Sequence, residues 1–280
     1  MSLTFAKEIE NINGVLIVDA MNLGFRWKHS GESVFAEEYY NTVISFAASY
    51  KCSHIIIAAD HRSSSYREKL FPEYKANRKL LRETQTDEDR DAFLVFIQEY
   101  ERTLKYLEEQ GLCVLRYDYT EADDIAAYLC SIIPDRNKWL ISSDRDWDLL
   151  IDENTNRFSY VNRKETTLAT WYDDPKNHPV SPELYLTLKC LDGDKGDNIP
   201  GIDQIGPKRA TALIEQYGDI FDIYNALPIS SKYKYIQNLN ASAEQLLLNV
   251  ELMDLVSFCR EAIGIEACDD IDKIVGEYLL

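Results

Sequence analysis

Three apolar runs in the first 145 residues each end just before an aspartate. The runs cover residues 15–18, 55–59 and 139–143, and the acids that follow them are Asp19, Asp60 and Asp144. Continuous apolar runs of this length are typical of strands that are buried on both faces of a parallel sheet. The carboxyl ends of parallel strands share one edge of the sheet, where open α/β sheets bind ligands. The pattern therefore predicts that the three acids lie close together.

The remaining pattern predicts an α/β fold in which helices flank a mostly parallel central sheet. The chain from 61 to 110 is charged and helical, with a break over residues 71–75. The first strand is expected at 12–19, and shorter strands at 113–117, 157–161 and 166–172. Helices are expected at 36–50, 121–132, 184–191 and 208–217, and through most of 219–280.

Six further acids stand beside these elements: Glu121, Asp123 and Asp124 at the start of a helix, Asp146 just after Asp144, and Asp194 and Asp197 in a glycine-rich loop. Nine carboxylates at one place would repel each other strongly unless their pKa values rose or cations bound. Oxygen ligands favour magnesium or manganese, and two such ions suit phosphate chemistry. Asp148 is expected to face solvent. Acids at helix starts and in Asp/Gly turns are also common without any ion, so this ordinary interpretation stays open.

The net charge of −18 over 280 residues argues at first against a nucleic-acid partner, because phosphate contacts need Lys and Arg. The nine proposed ligands account for half of that charge, and residues 251–280 hold eight acids against two basic residues. Six basic residues gather between Tyr66 and Arg82. We therefore expect DNA binding through a few focused contacts that weaken in salt.

Cysteine usage and hydropathy indicate a cytoplasmic protein. The six cysteines form no C-x-x-C pair and no zinc-type spacing, so we expect reduced, mostly buried thiols. No apolar run approaches the roughly 18 residues that a membrane span needs. The opening segment carries Glu8 and Glu10 and has no signal-peptide pattern.

Six strings in order resemble the 5′-nuclease superfamily, which includes flap endonucleases and the 5′ to 3′ exonuclease domain of bacterial DNA polymerase. The chain is most similar to the stand-alone bacteriophage flap endonucleases. The strings are VDAMNLGFRWKH at 18–29, AAD at 58–60, FPEYKANR at 71–78, EADDIAAY at 121–128, SSDRDWDLL at 142–150 and LKCLDGDKGDNIPGIDQIGPKRA at 188–210.

The resemblance implies roles for individual residues. The first metal group would be Asp19, Asp60, Glu121, Asp123 and Asp124, and the second Asp144, Asp146, Asp194 and Asp197. Lys75 and Arg78 would contact the scissile phosphate and act in catalysis together with Asp19, Asp124 and Asp144. Tyr74 would stack on a base, although packing within the protein is an equal alternative. Arg26, Lys189 and Lys208 would bind DNA, although Lys and Arg on a surface are usually only solvated.

The resemblance also implies a PIN-like (Rossmann-like) core over 1–173 with a helical arch at about 62–100. A helix-hairpin-helix would follow at 174–222, and a helical region at 223–280. The cofactors would be two or more Mg²⁺ ions, replaceable by Mn²⁺, with a monovalent cation such as K⁺ at the hairpin. Asp192 and Asp203-Gln204 depart from the family pattern there and put DNA affinity and monovalent-ion binding at the hairpin in doubt.

The function implied is hydrolysis of DNA phosphodiesters at 5′ flaps or free 5′ ends, giving a 5′-phosphate and a 3′-hydroxyl. The substrates would be flaps, replication junctions and RNA primers, met by a monomer in the cytoplasm, which is the host's if the chain is phage-encoded. Two alternatives stay open: a PIN-type ribonuclease, and a catalytically weak protein that only binds junctions.

Overall fold

The structure is a computed structural model that describes residues 13–280. The first residue of the predicted strand at 12–19, and the acids Glu8 and Glu10, lie outside the described residues. No helix between residues 13 and 280 is at once long and apolar enough to cross a membrane. All six cysteines are free, and five of them are buried.

A six-stranded sheet forms the centre of the described chain. Its strands are β1 (Gly14–Asp19), β2 (Cys52–Ala58), β3 (Cys113–Leu115), β4 (Lys138–Ile141), β5 (Thr155–Ser159) and β6 (Lys164–Thr166), in the order β3-β2-β1-β4-β5-β6. The first five are parallel and β6 is antiparallel to β5. Every residue from Val15 to Val18 is fully buried, as the continuous apolar run predicts. The prediction of a mostly parallel central sheet is confirmed.

Thirteen α-helices lie in the described residues. They are α1 (Ala20–Ser30), α2 (Ala36–Ser49), α3 (Ser65–Leu70), α4 (Ala76–Glu83), α5 (Asp87–Glu109), α6 (Ala122–Ile132), α7 (Tyr185–Asp192), α8 (Pro207–Tyr217), α9 (Ile220–Asn225), α10 (Lys234–Ala241), α11 (Ala243–Met253), α12 (Leu255–Ile263) and α13 (Ile265–Tyr278). Short 3-10 helices cover Arg145–Leu150, Trp171–Asp173 and Pro182–Leu184. The helices predicted at 36–50, 121–132, 184–191 and 208–217 are confirmed to within a residue or two, as is the helical character of the chain after 219.

The strand predicted at 166–172 is wrong. Strand β6 ends at Thr166, and a 3-10 turn begins at Trp171. The indole of Trp171 is fully buried, stacks on His178 and donates its N–H to the carbonyl oxygen of Val180, 2.7 Å away. Packing of one large ring within a loop therefore replaces the strand pairing that the apolar residues predicted.

The sheet has a topological switch point beside β1. The chain runs from β1 to β2 and β3 on one side, then returns to β4 and β5 on the other. The last pairs of β1 are Asp19 with Ala58 on β2 and Val18 with Ile141 on β4. The ends of the three central strands are therefore level, at the position where open α/β sheets bind ligands.

Two compact units make up the chain. The sheet unit comprises the described part of Met1–Ser64, together with Gln85–Leu168 and Cys259–Leu280, and the helical unit comprises Ser65–Thr84 and Ala169–Phe258. The predicted divisions at 1–173, 174–222 and 223–280, and the arch at about 62–100, follow the resemblance and stay predictions.

Helix α5 of the sheet unit changes character along its length. Of its residues 87–95 all but Phe93 are exposed, including the apolar Leu94 and Val95. From Phe96 onward one face is buried in the core. There Glu99 accepts hydrogen bonds from the backbone N–H groups of Phe35 and Ala36, at 2.9 and 3.3 Å, and so caps the start of α2.

Candidate functional site

Asp19 ends β1 and caps helix α1. One carboxylate oxygen accepts the backbone N–H of Asn22 at 3.1 Å, and the other accepts the hydroxyl of Ser142 at 2.8 Å. The side chain of Asn22 in turn accepts the N–H of Ser143 at 2.9 Å. Two hydrogen bonds, from Ser142 to Asp19 and from Ser143 to Asn22, therefore join the ends of β1 and β4, and Asp19 is only 5 % exposed.

Asp60 and Glu121 are linked through the start of helix α6. The carboxylate of Asp60 accepts the backbone N–H of Ala122 at 3.1 Å, and Glu121 occupies the N-cap of the same helix. A short bridge between His61 and Thr120 joins the two loops that carry these acids. Glu121 is 3 % exposed. The first amide of the helix thus binds Asp60, and the helix dipole favours negative charge on both carboxylates.

The next two acids sit in the first turn of α6. Asp123 accepts the indole N–H of Trp147 at 2.6 Å, and Trp147 is itself completely buried. Asp124 is also completely buried. These contacts fix α6 against the 3-10 helix that follows β4.

Asp144 and Asp146 open that 3-10 helix. Asp144 is its N-cap and accepts the N–H of Asp146 at 3.0 Å. The hydroxyl of Ser142, which donates to Asp19, accepts the N–H of Asp144 at 3.1 Å. A single serine therefore connects an acid of the first predicted metal group with one of the second.

The expectation that Asp148 faces solvent is wrong. Asp148 is 1 % exposed and accepts the guanidinium Nε–H of Arg157 at 2.6 Å. Arg157, on β5, also donates to the carbonyl oxygen of Ser142 at 3.0 Å and to the hydroxyl of Thr166 at 3.3 Å. This ion pair joins the two ends of the segment that carries Asp144 and Asp146. A buried carboxylate needs such a partner, because an unpaired charge is strongly disfavoured away from water.

The electrostatics at the sheet edge favour bound cations. Burial raises the pKa of Asp19 well above its usual range, and the charges of Asp60 and Asp144 raise it further against the hydrogen bonds from Ser142 and Asn22. Such mutual repulsion, in a set of donors that are all oxygen, fits a hard divalent cation.

The acids do not form a preassembled ligand cage. Between residues 13 and 280, no group of three or more Asp, Glu, His or Cys side chains is arranged to hold an ion as it stands. Oxygens of Asp19, Asp60, Asp123 and Asp144 are instead engaged by hydrogen-bond donors of the protein. The ligand roles of the nine acids therefore stay predictions.

In the helical unit, Asp197 is surrounded by predicted DNA-contacting residues. Its carboxylate accepts from Arg78 at 2.6 Å and from the hydroxyl of Tyr74 at 2.9 Å, and the ammonium of Lys75 lies 3.6 Å away. The backbone N–H of Lys75 donates to the carbonyl oxygen of Asp197 at 2.9 Å. Tyr74 is only 4 % exposed, which favours the alternative of packing within the protein over stacking on a base.

Asp194 is held in a similar way. Lys189 donates to its carboxylate at 3.2 Å, and the backbone N–H groups of Gly196 and Asp197 donate at 2.7 and 3.1 Å. Burial acts to raise the pKa of Asp194, but the charge of Lys189 and these hydrogen bonds outweigh it, so the pKa lies below its ordinary value. Lys189 is thus engaged with an acid of its own chain.

The predicted helix-hairpin-helix has the geometry that its glycines require. After α7 the two short strands β7 (Gly193–Asp194) and β8 (Ile199–Pro200) pair antiparallel, and α8 begins at Pro207. A side chain at Gly193, where φ is +80°, would place its Cβ 2.2 Å from the backbone nitrogen of Gly201. Only glycine allows this approach. Lys208 is exposed in the first turn of α8, as a phosphate contact requires.

Arg26 is also exposed, on helix α1 of the sheet unit. Its guanidinium lies 5.4 Å from the ring centre of the buried Trp27, which orients it. The predicted role of Arg26 in DNA binding stays a prediction.

Comparison with known proteins identifies the family. The N-terminal resolvase-like domain of 5′-3′ exonucleases matches residues 14–175, and their C-terminal SAM fold matches residues 180–271. The chain belongs to the 5′-3′ exonuclease family. Together the two matches cover both the sheet edge and the hairpin.

Individual members of the 5′-3′ exonuclease family are similar over nearly the whole chain. The flap endonuclease of Escherichia phage T5 is 38% identical over 97% of this chain and 94% of its own length. A solved structure of the T5 5′-exonuclease with divalent zinc ions has a TM-score of 0.90 at 36% identity, covering 95% of this chain and 100% of that chain. A bacteriophage T5 flap endonuclease complex with DNA and metal ions also has a TM-score of 0.90 at 36% identity, covering 95% and 99%.

Several residues that organise this 5′-3′ exonuclease site were missed by the sequence analysis. Ser142, Asn22 and Arg157 connect the acids but carry no pattern that distinguishes them from ordinary polar residues. Ser142 and Asn22 do lie within the strings at 142–150 and 18–29. Arg157 lies outside all six strings, and its sequence offers no signal.

We expect Arg78→Ala to slow cleavage of DNA by roughly 10- to 100-fold, because it removes a charge that would offset negative charge on the transferred phosphoryl group. Arg78 is half-exposed, so Tm is expected to change by less than about 2 °C. Single-turnover kinetics and thermal unfolding measure the two effects. Lys79→Ala, an equal loss of charge at the exposed neighbour on α4, is the control. A large fall in Tm for Arg78→Ala would assign it a structural role.

Proposed function

We propose that this member of the family is a structure-specific 5′-nuclease, both flap endonuclease and 5′ to 3′ exonuclease, that acts in DNA replication. It would hydrolyse phosphodiesters near 5′ flaps and junctions by a two-metal-ion mechanism, giving a 5′-phosphate and a 3′-hydroxyl. The observation that carries the proposal is the placement of the buried Asp19 at the switch point of the sheet, close enough to Asp60 and Asp144 for their charges to raise its pKa.

We infer a dependence on divalent metal ions, with Mg²⁺ as the natural ion and Mn²⁺ as a substitute. Divalent ions would supply an activated water and charge stabilisation at the reacting phosphate. The acids of the sheet unit that would hold them are Asp19, Asp60, Glu121, Asp123, Asp124, Asp144 and Asp146. Their support is the all-oxygen donor set and the raised pKa of Asp19.

In the helical unit, Asp194 and Asp197 are proposed as further metal ligands, by their match to the string at 188–210. Lys75 and Arg78 would stabilise charge on the phosphoryl group. The ammonium of Lys75 and the guanidinium of Arg78 both contact the carboxylate of Asp197, which orients them in the absence of substrate. A monovalent cation such as K⁺ is proposed at the hairpin.

The proposed substrates are 5′ flaps, replication junctions and 5′ ends that carry RNA primers. Two observations support DNA as the partner: the T5 relative is named a flap endonuclease, and one similar solved structure contains DNA with metal ions. Lys208 and Arg26 are exposed and available for the phosphate backbone. We propose that the protein acts as a monomer in the cytoplasm of the cell that replicates the DNA.

A labelled 5′-flap duplex tests this proposal. With Mg²⁺ we expect a short product released from the 5′ side, no product after chelation, and full recovery when Mg²⁺ or Mn²⁺ is restored. The same duplex with an RNA flap separates the proposal from a PIN-type ribonuclease, which would prefer the RNA. Tight binding with no product in either metal would contradict the nuclease and favour a junction-binding protein.

A further inference from the structure

A basic-aromatic patch lies on the helical unit beyond the hairpin. It consists of Arg209 on α8 and of Lys232, Tyr233, Lys234 and Tyr235 at the start of α10. Arg209, Lys232, Tyr233 and Lys234 are exposed. The rings of Tyr233 and Tyr235 stack at 5.8 Å with an angle of 24° between them.

Two side chains, Arg209 and Asn238, fix the patch to the hairpin. The guanidinium of Arg209 lies 4.7 Å from the ring centre of Tyr235 and donates to the carbonyl oxygen of Gln204 at 2.5 Å. Asn238, one turn further along α10, donates to both the carboxylate and the carbonyl oxygen of Asp203, at 2.9 and 3.1 Å. The residues Asp203-Gln204, which depart from the family pattern, are therefore held by α8 and α10. The backbone of Gln204 lies in the left-handed region there, with a φ of +63°.

The charge of this segment is unusual for the chain. Residues 226–243 contain no Asp or Glu, although the whole chain has 48 among 280 residues. The same stretch contains Lys232 and Lys234. The contact of Arg209 with Tyr235 places it beside the start of α8, which carries Lys208 and Arg209. A protein of net charge −18 thus presents a local positive surface that fits a polyanion.

The arrangement of the rings favours phosphate over nucleobases as the ligand. A base-stacking platform needs free aromatic faces. Here Arg209 covers Tyr235, the two tyrosines stack on each other, and Lys232 lies 5.9 Å from the ring centre of Tyr233. The tyrosine rings therefore orient the charged side chains of Arg209 and Lys232. The positively charged side chains, and not the rings, are then available to a ligand.

We propose that Lys232 and Lys234 bind backbone phosphates of the DNA duplex that the hairpin holds, and so extend the duplex contact from α8 onto α10. This inference rests on the proposed function. The patch would add affinity without reading sequence, because phosphate contacts carry no base information.

The test compares Lys232→Gln/Lys234→Gln with the wild type on a 5′-flap substrate. Each phosphate contact contributes about −0.9 to the slope of log affinity against log salt, so the loss of two contacts should make the slope less negative by about 1.8. Between 50 and 200 mM salt the wild type should then lose roughly tenfold more affinity than the variant. Binding is measured without divalent metal, and cleavage in Mg²⁺ should show a higher KM with kcat unchanged.

The control is Lys105→Gln/Lys273→Gln, which removes the same charge at two exposed positions of the sheet unit. It should keep the wild-type slope. A second pair of variants tests the ring support: Tyr235→Phe should keep wild-type affinity, whereas Tyr235→Ala should weaken it severalfold because Arg209 loses its support.

Two outcomes would overturn the inference while leaving the nuclease intact. One is a salt slope for the Lys232/Lys234 variant equal to that of the wild type. The other is a loss of affinity on single-stranded DNA that equals or exceeds the loss on duplex of the same length, which would show that the patch does not bind the duplex selectively. Cleavage by the wild type in Mg²⁺ is read separately, so failure of the proposed function is distinguished from failure of this site.

Discussion

Asp144→Asn is expected to reduce kcat for flap cleavage by roughly 100-fold or more, equivalent to about 3 kcal/mol, because it would remove a proposed anionic metal ligand. The amide oxygen of asparagine can still accept the N–H of Asp146, so the cap of the 3-10 helix is kept. Binding to the flap substrate should stay within about twofold of the wild type. Single-turnover cleavage across a range of Mg²⁺ concentrations, together with binding in the absence of metal, measures both effects.

Asp152→Asn is the matched control for this variant. Asp152 is exposed just after the same 3-10 helix, and its carboxylate caps a turn by accepting the N–H of Asn154 at 2.7 Å. The change of charge and shape is identical, but cleavage should stay at the wild-type rate. If Asp144→Asn cleaves as fast as this control at low Mg²⁺, Asp144 is not a metal ligand.

Arg157→Ala is expected to cause the largest loss of stability, about 3–5 kcal/mol, since it removes the guanidinium that pairs with the buried carboxylate of Asp148. For a unit of this size the fall in Tm should be roughly 6–20 °C. Thermal and urea unfolding measure the change. We also expect slower cleavage at temperatures where the variant is still folded, because Arg157 holds both ends of the segment that carries Asp144 and Asp146.

Arg90→Ala breaks an exposed Arg–Asp pair on α5 and is the control for the loss of an arginine. Its Tm should stay close to that of the wild type. The double variant Arg157→Ala/Asp148→Ala should be less destabilised than the sum of the two single changes, because no isolated charge is left behind. Additive losses would mean that Arg157 and Asp148 stabilise the fold independently.

The strand ends that carry Asp19, Asp60 and Asp144 were predictable from sequence. An uninterrupted apolar run must be buried on both faces, and parallel strands must end at the same edge, so the acids that follow are brought together. The helices were predictable for a similar reason, because their apolar residues recur at helical spacing. The apolar pattern thus predicts which loops lie close together, but not which hydrogen bonds and ion pairs their side chains form.

The partners of the charged residues were not predictable. Asp144, Asp146 and Asp148 are spaced two apart and look equivalent, but the buried Asp148 forms an ion pair with Arg157 on β5 that the spacing does not reveal. Asp197 lies 119 residues from Arg78 in sequence, so their ion pair has no local signal. Tyr74 stands among charged residues without apolar periodicity, yet it is buried and its hydroxyl donates to the same distant Asp197.

The first and later turns of helix α5 contribute differently to the stability of the fold. Its later turns are embedded in the core and clamped by Glu99, whereas residues 87–95 contribute almost no buried area. Phe93 is the one residue of this stretch that packs against the core, so the turns before it contribute little to the hydrophobic interior. Fraying of residues 87–92 would therefore leave the later turns of α5, which pack against the core, in place.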